Sequence, residues 1–331
     1  MTTDPLPSLM PALICRAHGD PLGLSVGEAP TPRPKDGEVL IAVQAAGISF
    51  VDVLMVRNLH QNKHAVPFSP GMEVVGRIVE CGADVGDLAV GMRVAALVYD
   101  GGHAGFAVAR ASETFDLPEE CDAVRTAALL SVALTAELSL VERAGVREGE
   151  TVLVGGAAGG VGICALQLAR WHGAHVVAAA SDEARCAFAL KAGAHAALTY
   201  GPDFKERFRA LGREGADVVI DPVGGAFAEP AANLLDWGGR YVIVGFAGGE
   251  IPTFAANRLL VKNRAVLGMV LGHYRWRDQD GLRRAAASVL RALAEGALDS
   301  PIEVVDGLAA VPAVLARIAD RRMIGKAVVA L

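Results

Sequence analysis

The 331-residue sequence predicts a two-domain α/β protein, a β-rich part followed by a doubly wound parallel sheet. Three observations predict it. The chain is 52% hydrophobic but only 5% aromatic, as expected where Val- and Ala-rich strands are buried on both faces. It carries 38 glycines, which suit tight turns between strand and helix. From Glu150 onward, short apolar strands alternate with helix-length segments, the pattern of parallel strands joined by crossover helices. The length also exceeds what one compact core ordinarily accommodates.

The first third reads as strands: Val39–Ala45, Glu73–Cys81 and Arg93–Val98, with Gly- and Pro-bearing turns between them. Short strands at this spacing suggest a small barrel or sandwich. Cys121–Ala144 then carries apolar residues at helical spacing. Thr151–Val154 predicts a buried strand, and Val161–His172 a helix that Gly173 ends at the position favoured for a terminal glycine. His175–Ala180, Asp217–Ile220 and Arg240–Val244 are further strands, and Glu183–Ala192 a further helix. An amphipathic helix over Asp280–Glu295, a strand at Ile302–Val305, a helix over Val311–Arg321 and a strand at Ala327–Leu331 follow.

Composition narrows the function. A net charge of −6 offers no basic field to a phosphate backbone, so nucleic acid is not expected as a main partner. No basic run suits an anionic membrane, and no uninterrupted apolar stretch reads as long enough to cross one. Met1–Pro11 lacks the basic-then-apolar order of a signal peptide. The five cysteines are odd in number and show no metal-ligand spacing, which predicts reduced thiols in a soluble cytoplasmic protein. G-x-S-x-G, H-E-x-x-H and P-loop patterns are missing, so hydrolase and kinase chemistry have no support.

The stretch from Thr151 to Gly162 reads TVLVGGAAGGVG. Ala157, Gly159 and Gly162 have G-x-G-x-x-G spacing with Ala in the first slot, and Gly156, Gly159 and Gly162 fit G-x-x-G-x-x-G. A chain turning sharply out of a strand, approaching a pyrophosphate and packing a helix on the sheet needs small residues there. The helix start then turns free N–H groups and its positive end toward phosphates. A glycine pattern alone is weak in a Gly-rich chain; a strand before, a helix after and a second strand beyond make it a dinucleotide site. Gly156, Ala158, Gly159, Gly160, Val161 and Gly162 are its candidate contacts. An NAD site usually ends the second strand on Asp or Glu, but that position is Ala180, followed by Ser181, Asp182 and Arg185. A carboxylate ~4 Å from a 2′-phosphate costs about 4 kcal/mol at an effective dielectric near 20. Its absence, with Ser181 and Arg185 beside it, predicts NADPH; Asp182 is expected to cap the next helix instead.

Several segments together resemble the zinc-free quinone oxidoreductase (ζ-crystallin-like) branch of the medium-chain dehydrogenase/reductase superfamily. They are Ala46–Asp52 (AGISFVD), Pro70–Gly76 (PGMEVVG), Gly91–Val94, Ala157–Gly162, Asp217–Gly225, Gly238–Phe246 and the Gly325-Lys326 pair. The resemblance implies a GroES-like catalytic domain, expected over 1–125 and 275–331, around a Rossmann NADPH-binding domain over 126–274. It implies a nicotinamide between them and a homodimer joined edge to edge through a strand at Ala265–Leu271. By the same match, Ser181, Arg185 and Tyr200 surround the 2′-phosphate with Arg321 from the tail, Phe246 lies near the nicotinamide, and Thr135 near its ribose. Zinc-bearing relatives place Cys at Ser49 and His at Met72, and neither residue here is a usual zinc ligand; no metal is expected.

Without a metal, hydrogen-bond donors or water must meet the charge that develops on the acceptor. Ser49 stands where the resembled family commonly has Asn, His60 and Ala133 where it commonly has Tyr, and Asp52 is retained. Ser49, Asp52 and His60 are therefore the catalytic candidates. Each has a plainer alternative: Asp52 as a structural hydrogen-bond acceptor, which is preferred, and His60 as an exposed loop histidine, also preferred over a proton donor. Tyr99 and His103 lie in a Gly-rich loop that is read equally as surface. The expected activity is NADPH-dependent hydride transfer to a small-molecule conjugated acceptor, a quinone or an α,β-unsaturated carbonyl. An enoyl thioester reductase and a weakly catalytic NADPH-binding protein are the alternatives.

Overall fold

The structure, a computed structural model, describes residues 6–331; residues 1–5, part of the segment read for a signal pattern, lie outside the described residues. The chain begins with β1 (Leu9–Ile14), β2 (Ser25–Pro30), β3 (Glu38–Ile48), α1 (Phe50–Val56), β4 (Glu73–Cys81), β5 (Arg93–Leu97), β6 (Phe106–Arg110) and β7 (Thr114–Asp116). Helix α2 (Ala123–Glu137) follows and continues as a π-helical stretch, Leu138–Arg143. Then come β8 (Thr151–Val154), α3 (Gly160–Trp171), β9 (His175–Ala180), α4 (Glu183–Lys191), β10 (Ala196–Thr199), α5 (Phe204–Ala210), β11 (Ala216–Asp221) and α6 (Gly225–Leu234). The remainder is β12 (Leu235–Ile243), α7 (Ala256–Leu260), β13 (Ala265–Gly268), α8 (Leu271–Arg277), α9 (Gln279–Ala294), β14 (Ile302–Asp306), α10 (Val311–Ala319) and β15 (Lys326–Ala330).

These elements form two compact units, one through Leu130 together with Pro301–Leu331, the other Ser131–Ser300. The first is built on a sheet ordered β14-β15-β3-β4-β5-β7, with β6 also pairing β3 and β1-β2 forming a separate ribbon. Its core packs Ile41, Val43, Ile48, Val53, Met55, Val74, Ile78 and Val94 against Leu315 and Val329. The second has six parallel strands in the order β10-β9-β8-β11-β12-β13. Strand order reverses between β8 and β11, and ligands of such sheets bind at that reversal, beyond the strands' carboxyl ends.

One expectation needs correction. The segment 275–300 was placed with the catalytic domain, but α9 belongs to the second unit. Its polar edge ties it there: Arg284 meets Glu142 at 2.9 Å, Trp171 Nε1 donates to Glu295 at 2.9 Å, and Arg291 lies over the Trp171 ring. The helix over Ala123–Arg143 has 21 residues and is apolar enough by length and composition to cross a membrane, but it is no uninterrupted apolar stretch, since Arg125, Glu137 and Glu142 lie within it, and most of it is buried in the protein.

Candidate active site

In the second unit the site is made by the turn after β8, the end of β9 and the turns after β11 and β12. The turn leaves β8 with Gly156 at φ +56°, a left-handed backbone that glycine adopts without strain. A Cβ at Gly162 would stand 2.2 Å from the Gly156 carbonyl oxygen, so the helix packs on its own turn only with glycine there. Gly159 precedes α3 as its exposed cap residue, and Ala158 is buried beneath. The first amides of the helix, at Gly160, Val161 and Gly162, have no carbonyl one turn back within the helix, and Gly160 and Val161 are half-buried. This is a cradle for a pyrophosphate, and the turn fits a dinucleotide.

The end of β9 follows the sequence expectation at Asp182. Its carboxylate caps α4 by accepting from the Arg185 amide at 2.9 Å. It also accepts from the Ser181 hydroxyl at 3.0 Å and pairs with the Arg185 guanidinium. The Arg185 amide, then the Arg185 side chain, hold the Asp182 carboxyl below the usual carboxylate range. Ser181 and Arg185 thus stand together at the strand end, beside the buried Ala180. Tyr200 reaches the glycine turn itself. Its hydroxyl accepts from the Gly156 amide at 2.8 Å and lies 3.3 Å from the Ala179 carbonyl. Burial pushes that hydroxyl up to about 12, so it remains a phenol and braces the turn from below.

Sequence reasoning gave no site role to Asp221, at the end of β11. Its carboxylate accepts from Tyr241 Oη at 2.5 Å, the Val223 amide at 2.7 Å and the Gly224 amide at 2.8 Å. Its carbonyl accepts from the Val244 and Gly245 amides, so one residue ties the loops after β11 and β12 together. Burial pushes the Asp221 carboxyl up, against these donors. An acid at a strand end just before Gly224-Gly225 was the available signal. Phe246 rides on the second of these loops, 44% exposed. On α2, Thr135 turns its hydroxyl to the Ser131 carbonyl at 2.7 Å, just before the π-helical stretch.

In the first unit, Ser49 precedes α1 and Asp52 lies in its first turn, fully buried. The Asp52 carboxylate accepts from the Ser49 amide at 2.7 Å and the Gly71 amide at 3.2 Å, binding the start of α1 to the loop before β4. That is the structural acceptor expected of it. His60 is not an exposed loop residue; it is half-buried. Its ring stacks on His64, centroids 6.0 Å apart, and Nδ1 lies 3.2 Å from the Asn62 carbonyl. Burial lowers its pKa below the ordinary histidine value, with the charge of Asp52 opposing. His103 is fully buried, its Nε2 3.0 Å from the Gly47 carbonyl, whereas Tyr99 is 43% exposed. Ala133 is buried without polar function. Arg321, past α10, has a left-handed backbone and an exposed side chain.

Residues 35–126 match the family "Alcohol dehydrogenase GroES-like domain" and residues 160–287 the family "Zinc-binding dehydrogenase". The chain is 36% identical to quinone oxidoreductase-like protein 2 of Bos taurus over 97% of its own length and 92% of the relative's. A mycobacterial quinone oxidoreductase superposes with a TM-score of 0.89 at 28% identity, covering 97% of this chain and all of the other. The quinone oxidoreductase of Thermus thermophilus, solved also in complex with NADPH, does so at 0.81 and 35%, with 97% and 100% covered. A nucleotide turn at the reversal of a parallel sheet and a β-rich partner unit define a two-unit oxidoreductase. The chain belongs to the quinone oxidoreductase-like group of the medium-chain dehydrogenase/reductase superfamily. Among the described residues no three His, Cys, Asp or Glu side chains come together as a metal site. Met72, where the resemblance puts a zinc ligand, packs against the core of the first unit.

Proposed function

We propose that this NADPH-dependent oxidoreductase reduces a conjugated acceptor, a quinone or an α,β-unsaturated carbonyl, without zinc. The observation that carries the reading is the end of β9, where Ala180 replaces the usual acid and Ser181 and Arg185 stand beside it. The Ser181 hydroxyl and Arg185 guanidinium suit a 2′-phosphate, to which Asp182 gives up its hold on the guanidinium while keeping its cap on α4. NADPH, when bound, supplies the hydride. Asp221 and Tyr241 hold the loop that carries Phe246, and Thr135 lies on the helix that flanks the ribose. Ser49 and His60 supply hydrogen-bond donors to the acceptor, and His60 releases a proton to it. Asp52 holds the backbone of Ser49 in place.

A homodimer formed along β13 belongs to the same reading, as does a cytoplasmic location for a chain whose five cysteines are in no disulfide. The test follows NADPH and NADH oxidation with quinones, enals and enoyl-CoA esters in parallel. The reading expects turnover of quinones or enals and preference for NADPH. Turnover confined to enoyl-CoA esters would make it a thioester reductase; tight NADPH binding without turnover would make it a binding protein.

A further inference from the structure

Beyond the carboxyl end of β13 the second unit has a cavity of about 370 Å³, room for a small organic molecule. Met269 and Val270 give it an apolar lining, and Arg143, Tyr274, Arg277 and Asp278 are among its polar groups. Arg143 Nε donates to the Gly268 carbonyl at 2.9 Å, which ties the guanidinium to the strand end and leaves its two terminal nitrogens for a ligand. Arg277 is exposed and, among the described residues, its side chain makes no hydrogen bond or ion pair. The acids close by are engaged elsewhere. Asp278 caps α9, accepting from the Gly281 amide at 2.9 Å, and Glu142 accepts from Arg284 at 2.9 Å. Burial pushes the Tyr274 hydroxyl up, so it remains a phenol that can donate. Two guanidinium forks and a phenol beside apolar side chains suit an organic anion, because each fork matches two oxygens of a carboxylate or phosphate. The cavity lies at the cofactor end of the parallel sheet. The Met269 amide donates to the Ile243 carbonyl at 2.9 Å, at the end of the strand that leads to Phe246.

We propose that this cavity receives an anionic group carried by the acceptor, so that the preferred acceptor is a quinone or conjugated carbonyl bearing a carboxylate or phosphate. The inference rests on the reading of the chain as a reductase of conjugated acceptors and names the class within it. Arg277 and the terminal nitrogens of Arg143 bind the anion, and the Tyr274 hydroxyl donates to it. Met269 and Val270 cover the apolar body that joins the anion to the reacting carbons. None of these side chains takes part in hydride or proton transfer. They select the acceptor, and a neutral quinone of the same skeleton binds less tightly because it leaves both guanidiniums unpaired.

The test uses the full chain, NADPH and two acceptors that differ in charge alone, a benzoquinone carrying a propionate side chain and its methyl ester. The acid is expected to show a kcat/KM roughly tenfold or more above the ester, the scale of one charge-assisted hydrogen bond. Arg277→Gln and Arg143→Gln each lower that ratio about tenfold by raising KM for the acid, with kcat little changed, and Arg277→Lys restores part of it. Arg277 is exposed and unbonded, so its variants do not threaten the fold. Equal use of acid and ester by the parent overturns the proposal, as does a ratio unmoved in Arg277→Gln. Butyrate, a free carboxylate, is expected to compete with the acid. Butyrate that alters ester turnover without competing would make the cavity an effector site and overturn its assignment to the acceptor. If neither quinone is turned over, calorimetric titration of both into the enzyme with NADP+ separates the two failures. Tighter binding of the acid that Arg277→Gln abolishes keeps the anion site and sinks only the reductase reading; equal binding of acid and ester sinks both.

Discussion

In the turn after β8 the backbone itself meets the ligand, so what matters is which side chains are absent; in the loop after α1 the side chains do the work. The first region tolerates no Cβ at Gly162, because the helix start and the turn share one volume. The second is a set of rings, His60, His64, Phe68 and Tyr99, stacked at 4.6–6.0 Å, whose polar atoms are partly unmatched. One region is fixed by the cofactor, common to every substrate of the reaction. The other is free to change with the acceptor. The contrast teaches that the turn is constrained by backbone volume and the loop by the packing of its rings.

If that contrast is right, Gly162→Val gives the largest effect. NADPH affinity falls roughly 100-fold, about 2.8 kcal/mol at 1.4 kcal/mol per decade, in a fluorescence titration. Retained affinity would break the comparison, since the turn would then be as adaptable as the loop. Asp52→Ala strands two buried amides, at Ser49 and Gly71, and lowers unfolding free energy by about 3 kcal/mol in a urea titration. A loss below about 1 kcal/mol would show that the start of α1 does not depend on it. Arg185→Ala reduces the ratio of kcat/KM for NADPH over NADH roughly tenfold, the worth of one charge-assisted hydrogen bond, with NADH turnover unchanged.

The smallest effect is a pH slope. Asp221 has a folded-state pKa raised by burial. The folded protein therefore holds this proton where the unfolded chain has released it, and stability declines as pH rises from the ordinary carboxylate range through the raised value. Asp221→Asn removes that decline, which thermal unfolding at stepped pH measures. A slope identical to the parent's would mean that Asp221 titrates as an ordinary carboxyl.

The same contrast explains what was legible. The β8–α3–β9 unit could be read because close backbone approach dictates residue type at fixed spacing, and β4 and β9 begin and end at the residues expected of them. Asp182 as a cap was legible for the same local reason. Tyr200 bracing Gly156 was not, because its bond spans 44 residues and is made to a backbone amide that carries no sequence signal. The His64–Asp100 pair spans 36 residues, and the half-burial of His60 follows from its stack on the His64 ring, which that distant pair helps to hold. The unit boundary near 275 was misplaced because α9 is amphipathic wherever it docks, and its polar contacts to Glu142 and Trp171 cannot be read from periodicity.

Strand β15 has a consequence for the order of synthesis. It lies inside the first unit's sheet, between β14 and β3, with Ala327 opposite Ile48 and the buried Lys326 ammonium 3.8 Å from Glu73. The second unit, Ser131–Ser300, is one uninterrupted stretch and is complete before that strand has been translated. The nucleotide-binding half therefore closes its own sheet without any strand from the end of the chain. The earlier-made half waits with an open slot beside β3, a strand edge exposed to wrong pairing until residue 330 arrives.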